Sequence, residues 1–237
     1  MLDIDHWQIK LNILWDIDGT LLDTSGIGVS FLTQAYEAVT KRKFSSTHQR
    51  NQGLTDYEIV LQDLYSLGYP LERMLDLAEQ ILDLYVQLYE KASNLNKIKR
   101  LRSLDERFLD SQYSDSITHN ILSGNCERGG LLKLRTVGIS NYFEKGEFFF
   151  SNKKNWKRVQ ILEEACRSIN SKQVLVIGDT IRDYEAAKSV GVKAVILNWN
   201  NRSELARISG SSNLWVCTSS DIFSREFADK VFEFATT

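Results

Sequence analysis

Proline is nearly missing from this chain: Pro70 is the one proline in 237 residues, so proline cannot mark domain edges or stiff linkers. Cysteine is sparse too. Cys126, Cys166 and Cys217 are odd in number, widely spaced and without a CxxC pair. That excludes a disulfide framework and a cysteine zinc site, and fits reduced thiols in a cytoplasmic protein. Charge of one sign is lacking as well: 29 basic and 31 acidic residues leave a formal −2 and a pI near 6.0. Such a balance gives no electrostatic footprint for nucleic acid or an anionic membrane. No apolar run approaches the length of a membrane span. The opening stretch, MLDIDHWQIK, is acidic and holds no apolar core of signal-peptide length. Internal repeats and low-complexity tracts are missing. With 43% hydrophobic and 25% charged residues, what remains is the composition of a soluble globular protein, one large domain or a domain with a smaller companion.

What is present begins with residues 13–24, ILWDIDGTLLDT. Leu11 to Trp15 has the length and the β-branched and aromatic content of a buried strand. In an extended segment residues i and i+2 point to one side, so Asp16 and Asp18 can share a site, and Gly19 suits a sharp exit. Two close carboxylates without a cation between them repel. Such a pair binds a metal, shares a proton or does chemistry. The plainer alternative is a polar strand end in a turn.

The theme recurs. HNILSGN ends in Ser123, Gly124 and Asn125, and KQVLVIGDT ends in Gly178, Asp179 and Thr180, while VKAVILNW and NLWVCTS are further strand candidates. Apolar runs without alternation predict strands buried on both faces, as in a parallel sheet covered by helices. Helices are predicted over Arg128 to Val137, Lys157 to Ile169 and Arg182 to Val190, the last stopped by Gly191. The alternation predicts an α/β fold with an open, doubly wound parallel sheet. Ligands of such sheets sit beyond the carboxyl ends of the strands, where Asp16, Asp18, Ser123 and Asp179 fall. Residues 25–92 break the rhythm with helical periodicity over Val29 to Val39, Asp56 to Leu67 and Leu71 to Lys91. An all-helical cap at 25–92 is thus expected, inserted into a core made of 1–24 and 93–237 and placed as a lid over the site. The Leu and Tyr stripe of its last helix reads as packing.

A second carboxylate pair lies in GDTIRD, where Asp179 and Asp183 flank a helix start and can share a face. Together with Asp16 they make an oxygen-rich cluster suited to Mg²⁺. Taken singly, both read as helix N-caps. Ser123-Gly124-Asn125 offers a hydroxyl and backbone N–H groups where a strand passes to a helix. Lys154, in SNKKNWKR, supplies a cation ahead of the helix that leads to the Asp179 strand, although a lysine in such a run is ordinarily solvated.

The ordered set DxDGT, S-G-N, Lys, GDxxxD resembles the haloacid dehalogenase superfamily of phosphohydrolases, with a helical cap inserted after the first motif. The match spans essentially the whole chain. Gly53-Leu54-Thr55-Asp56 is similar to a cap stretch of phosphoglycolate-phosphatase-like members. The resemblance implies a Rossmann-like core and a Mg²⁺-dependent phosphatase that hydrolyses a small phosphorylated metabolite through an aspartyl-phosphate. It implies Asp16 as nucleophile, Asp18 as acid and base, and Mg²⁺ held by Asp16, the Asp18 carbonyl and Asp179 with support from Asp183. It further implies Ser123 and Lys154 on the phosphoryl oxygens, with Thr20, Gly124 and Asn125 shaping the pocket; cap loops set the substrate, and Arg50, Gln52, Thr55 and Asp56 are the candidates there, without a chemical fingerprint that names it. Three departures stand out: Trp15 replaces the frequent Phe, Ser123 the usual Thr, and no Lys-Pro pair is present. The lysine therefore rests on spacing, Lys154 lying 25 residues before Asp179, with Lys153 and Lys157 left open. A sugar-phosphate mutase would share the motifs but needs a cap cation where Asp56 stands. A non-catalytic binding relative is the reading from another class.

Overall fold

The apolar runs pair because each can bury both of its faces only between neighbours and under helices. The computed structural model describes residues 10–45, 53–92, 95–101, 108, 114–199, 202–208, 211–224 and 226–237. Its strands are β1 (Leu11–Trp15), β2 (Leu22–Asp23), β3 (Lys99–Arg100), β4 (Ile117–Cys126), β5 (Phe148–Ser151), β6 (Val174–Gly178), β7 (Lys193–Asn198) and β8 (Leu214–Thr218). Six of them form one sheet in the order β5-β4-β1-β6-β7-β8, every pairing parallel. β1 is central: Ile13 lies opposite His119 on one side and Leu175 on the other. Ile13 and Trp15 enter one core layer and Leu14 the other, which is why the run shows no alternation of polar residues.

The predicted helices appear within one residue of their expected bounds at α4 (Glu127–Thr136), α5 (Arg158–Ile169) and α6 (Ile181–Val190). Ile161, Leu162 and Ala165 of α5 and Ala186 and Ala187 of α6 cover the Leu14 face. Leu134 of α4 lies on the other, together with Phe227 and Val231 of a C-terminal helix, Phe227–Thr236, that the sequence reading did not single out. Nor did it single out β5, a short edge strand, or the antiparallel pair of β2 and β3.

Between β2 and β3 run α1 (Ile27–Thr40), α2 (Asp56–Ser66) and α3 (Leu71–Glu90). α3 buries Met74, Leu77, Ala78, Ile81, Leu82, Tyr85, Val86 and Tyr89, three- and four-residue steps that make its stripe a packing face. Among the described residues no helix is long and apolar enough to cross a membrane. The three cysteines are unpaired, Cys126 and Cys217 buried and Cys166 half-buried.

Candidate active site

The carboxyl ends of β1, β4 and β6 open on one cavity of about 690 Å³, lined by Asp16, Asp18, Ser123, Gly124, Asn125, Lys133, Arg158 and Asp179 among others. Asp16 continues β1, its N–H donating to the Ile177 carbonyl at 2.9 Å. The chain then turns on Gly19 at φ +83°, where a Cβ would stand 2.6 Å from the Asp179 carboxyl carbon. Both the backbone angle and the space demand glycine. The Gly19 carbonyl accepts from Trp199 Nε1 at 2.9 Å, pinning the turn from the far side.

Asp16, Asp179 and Asp183 are all buried, and one oxygen of each lies within 4.8 Å of the others. Arg158 bridges two of them, its Nη1 standing 3.1 Å from Asp16 Oδ1 and 2.7 Å from Asp183 Oδ1. Arg202 reaches Asp179, donating from Nη2 to its backbone carbonyl and, at 3.0 Å, to Oδ2. Asp183 divides its oxygens. Oδ2 accepts from the Thr180 N–H at 3.0 Å and hydroxyl at 2.6 Å, closing the capping box of α6, while Oδ1 faces Arg158. The N-cap reading was thus half of its role; Thr180 is the N-cap, and Asp179 remains for the site.

Asp18 stands apart from this trio. Its Oδ2 takes two donors, Lys133 Nζ and Asn125 Nδ2, each at 2.7 Å, while Oδ1 is buried without a partner. Asn125 Nδ2 also donates to Ser123 Oγ at 2.7 Å, and Asn125 Oδ1 accepts from Lys133. The S-G-N stretch is therefore tied to the DxD stretch twice, directly through Asn125 and through the buried Lys133.

Burial drives the electrostatics. It raises the Asp16 carboxyl well above the usual range, helped by Asp183, Asp179 and Asp18 and opposed by Arg158. Asp179 is pushed up to about 7 by burial and by Asp183, against the pull of Arg202 and Arg158. Burial would lower Lys133, but Asp18, Tyr85 and Asp56 outweigh it and hold the ammonium well above its ordinary value. Asp16, Asp18, Asp56, Asp179 and Asp183 thus face Lys133, Arg158 and Arg202, and the Asp179 Oδ1 atom is buried with no partner. A buried acceptor left open in an acidic cluster fits a hard divalent cation.

The expected residues divide by place. Asp16, Asp18, Ser123, Gly124, Asn125, Asp56 and Asp179 line the cavity, and Asp183 backs it through Arg158. Asp56 lies at the start of α2, its Oδ2 accepting from the Cys126 N–H at 2.9 Å. Thr20 and Thr55 are fully buried and do not line the cavity; Thr55 caps α2 instead, its oxygen accepting from the Glu58 N–H at 3.0 Å. Arg50 and Gln52 lie outside the described residues. The lysine expectation fares differently. Lys154 is exposed in the turn before α5, its backbone N–H donating to Asn152 Oδ1 at 2.9 Å. Lys153 pairs with Asp76 and Glu79 of α3, and Lys157 is the exposed residue preceding the helix. None of the three lines the cavity; Arg158 does. Its signal was in the sequence: Arg158 heads the buried stripe Arg158, Ile161, Leu162, Ala165. Lys133 likewise sits on the buried face of α4 with Gly129, Gly130 and Leu134. A basic residue in register with an apolar stripe was the cue. Arg202 carried no such mark.

Fold and site together define an α/β protein with an acid-rich centre at its strand ends. Residues 13–197 match the family model of the haloacid dehalogenase-like hydrolases, and the chain belongs to that family. No curated protein matches it. Among solved structures it is similar to a β-phosphoglucomutase from Clostridium difficile, at 17% identity and TM-score 0.65 over 95% of this chain and 99% of that one. A predicted phosphatase from Clostridium acetobutylicum gives 17% identity and TM-score 0.64, again covering 95% and 99%. CbbY from Rhodobacter sphaeroides, solved in complex with phosphate, gives 14% identity and TM-score 0.62 over 86% and 92%.

Proposed function

We propose that the chain is a phosphoric monoester hydrolase that acts on a small phosphorylated metabolite through an aspartyl-phosphate. The observation that carries this is the division between the two aspartates of the DxD stretch. Asp16 lies within the acidic trio beside Arg158, whereas Asp18 is held apart with one oxygen free. That is the arrangement needed by a nucleophile and a separate proton carrier.

Asp16 attacks phosphorus and the ester oxygen departs, taking its proton from Asp18. Water then attacks the phosphorus of the acyl phosphate, Asp18 recovers a proton from it, and Asp16 is released with inorganic phosphate. Lys133 and Asn125 fix Asp18 through Oδ2 and so leave Oδ1 to exchange the proton. Ser123 and the backbone at Gly124 and Asn125 frame the phosphoryl oxygens, and Arg158 offsets their charge in the role expected of a lysine. Asp16, Asp179 and Asp183, with the Asp18 carbonyl, are the groups that would hold Mg²⁺, which neutralises charge on the phosphoryl group when bound. Residues 25–92 act as a cap on a core of 1–24 and 93–237. The unpaired cysteines suit a cytoplasmic setting.

The test is hydrolysis of p-nitrophenyl phosphate with Mg²⁺, with EDTA, and by Asp16→Asn. Turnover that needs Mg²⁺, stops in EDTA and vanishes in the folded variant is the expected result. Wild-type-like turnover by Asp16→Asn removes the aspartyl-phosphate, and indifference to chelation removes the metal.

A further inference from the structure

Phosphate chemistry accounts for one side of the cavity only. On the other stand Val29 and Leu32 of α1, Phe44 beyond it, Leu54 and Ile59 at α2, and Leu101 after β3. Leu32 and Leu54 are buried and the other four half-buried, and all six line the cavity. The charged residues of these elements are acidic: Asp23 at the β2 end, and Asp56 at the α2 start, whose carboxylate turns to the Cys126 N–H and Lys133. Among the described residues the cations of the cavity are Lys133, Arg158 and Arg202, and each is committed to a carboxylate of the catalytic cluster.

We infer that the substrate is a phosphate monoester with an apolar alkyl or aryl leaving group and no second anionic group. The inference rests on the phosphatase reading above and adds the substrate class to it. A carboxylate or second phosphate on the leaving group would lie against aliphatic carbon on the Asp23 side, losing water without gaining a counter-ion among the described residues. An alkyl chain there exchanges water for Val29, Leu32 and Ile59. The cavity volume of about 690 Å³ leaves room for one beyond the phosphate.

The experiment is a series of n-alkyl phosphates from ethyl to hexyl, with 2-phosphoglycolate and glucose 6-phosphate alongside. The pKa of the alcohol hardly changes along the series, so the slope reads the wall and not the chemistry. Each added methylene is expected to raise kcat/KM about two- to fourfold until the wall is filled. Butyl phosphate should exceed 2-phosphoglycolate by at least about tenfold. Val29→Lys places a cation on this wall and should narrow or reverse that ratio; Val29 is half-buried and lies in the first turn of α1. A flat series, or a preference for 2-phosphoglycolate or glucose 6-phosphate in the wild type, overturns the substrate class while Mg²⁺-dependent p-nitrophenyl phosphate hydrolysis keeps the phosphatase reading. No hydrolysis of any ester overturns both.

Discussion

Arg158 holds two carboxylates on one nitrogen of a guanidinium that is 10% exposed at its side chain. Its loss would leave Asp16 and Asp183 facing each other with no guanidinium between them, in a site where burial has already raised the Asp16 carboxyl. Arg158→Gln should therefore lower kcat/KM by about a hundredfold or more. Arg158→Lys keeps the charge but not the rigid fork and should fall between. Lys154→Ala should stay within about threefold of wild type, since a solvated charge contributes ~1 kcal/mol or less. Steady-state kinetics on an aryl phosphate measure all three, and a severe loss in Lys154→Ala with a mild one in Arg158→Gln would return the role to the lysine. The place of the centre was legible from the four motifs in order, since each alone reads as a turn or a helix cap and only together do they point to one cavity. The choice of cation was not. It turns on which residue of SNKKNWKR begins the helix with its side chain on the apolar face, and helix starts are fixed to within a residue or two only.

At the scale of elements, α2 joins the helical insertion to the catalytic strands. Its N-cap Thr55 accepts from the Glu58 N–H at 3.0 Å, the Glu58 carboxylate accepts from the Thr55 N–H at 3.1 Å, and the Thr55 hydroxyl donates to the Trp156 carbonyl in the turn before α5. Gly124 lies underneath, where a Cβ would come 3.0 Å from the Thr55 Cα. Thr55→Ala removes the cap and strips a partly buried carbonyl of its donor, so unfolding by urea should show a loss of about 2 kcal/mol. Glu58→Gln keeps the reciprocal box and should cost about 0.5 kcal/mol or less. Equal stabilities for Thr55→Ala and wild type would show that this junction contributes little. The sequence disclosed α2 through the helical periodicity of Asp56 to Leu67, and the helix runs Asp56–Ser66. It could not disclose that the same threonine reaches Trp156, 101 positions away. β5 was hidden for a related reason: four residues at a sheet edge carry too little pattern, and only their pairing with β4 makes them a strand.

Across the whole molecule, one buried histidine sets part of the pH dependence of folding. His119 lies in β4 opposite Ile13 of the central strand, 7% exposed, with Nδ1 accepting from Trp15 Nε1 at 3.0 Å. That acceptor requires the neutral ring, with its proton on Nε2. Phe108 packs edge-on against both rings, and burial pulls the imidazole down to about 4 from its ordinary 6.5. The folded chain thus binds fewer protons at this site than the unfolded chain between pH 4 and 6.5. The stabilisation is fully present above about pH 6.5 and is lost as pH falls towards 4, about 3 kcal/mol in all. Asp179 works in the opposite sense. Its carboxyl, raised to about 7, binds more protons when folded, so that contribution grows as pH falls from about 7. The wild-type curve sums these with the raised Asp16 and Asp56 carboxyls, and only a difference isolates the histidine. His119→Gln cannot titrate but keeps an oxygen that can accept from Trp15. The unfolding free energy of wild type minus that of His119→Gln, measured by urea in EDTA, should therefore drop by about 3 kcal/mol between pH 7 and pH 4. A difference that is flat with pH would mean that His119 titrates alike in the folded and unfolded chains and that its burial against Trp15 and Phe108 carries no charge penalty.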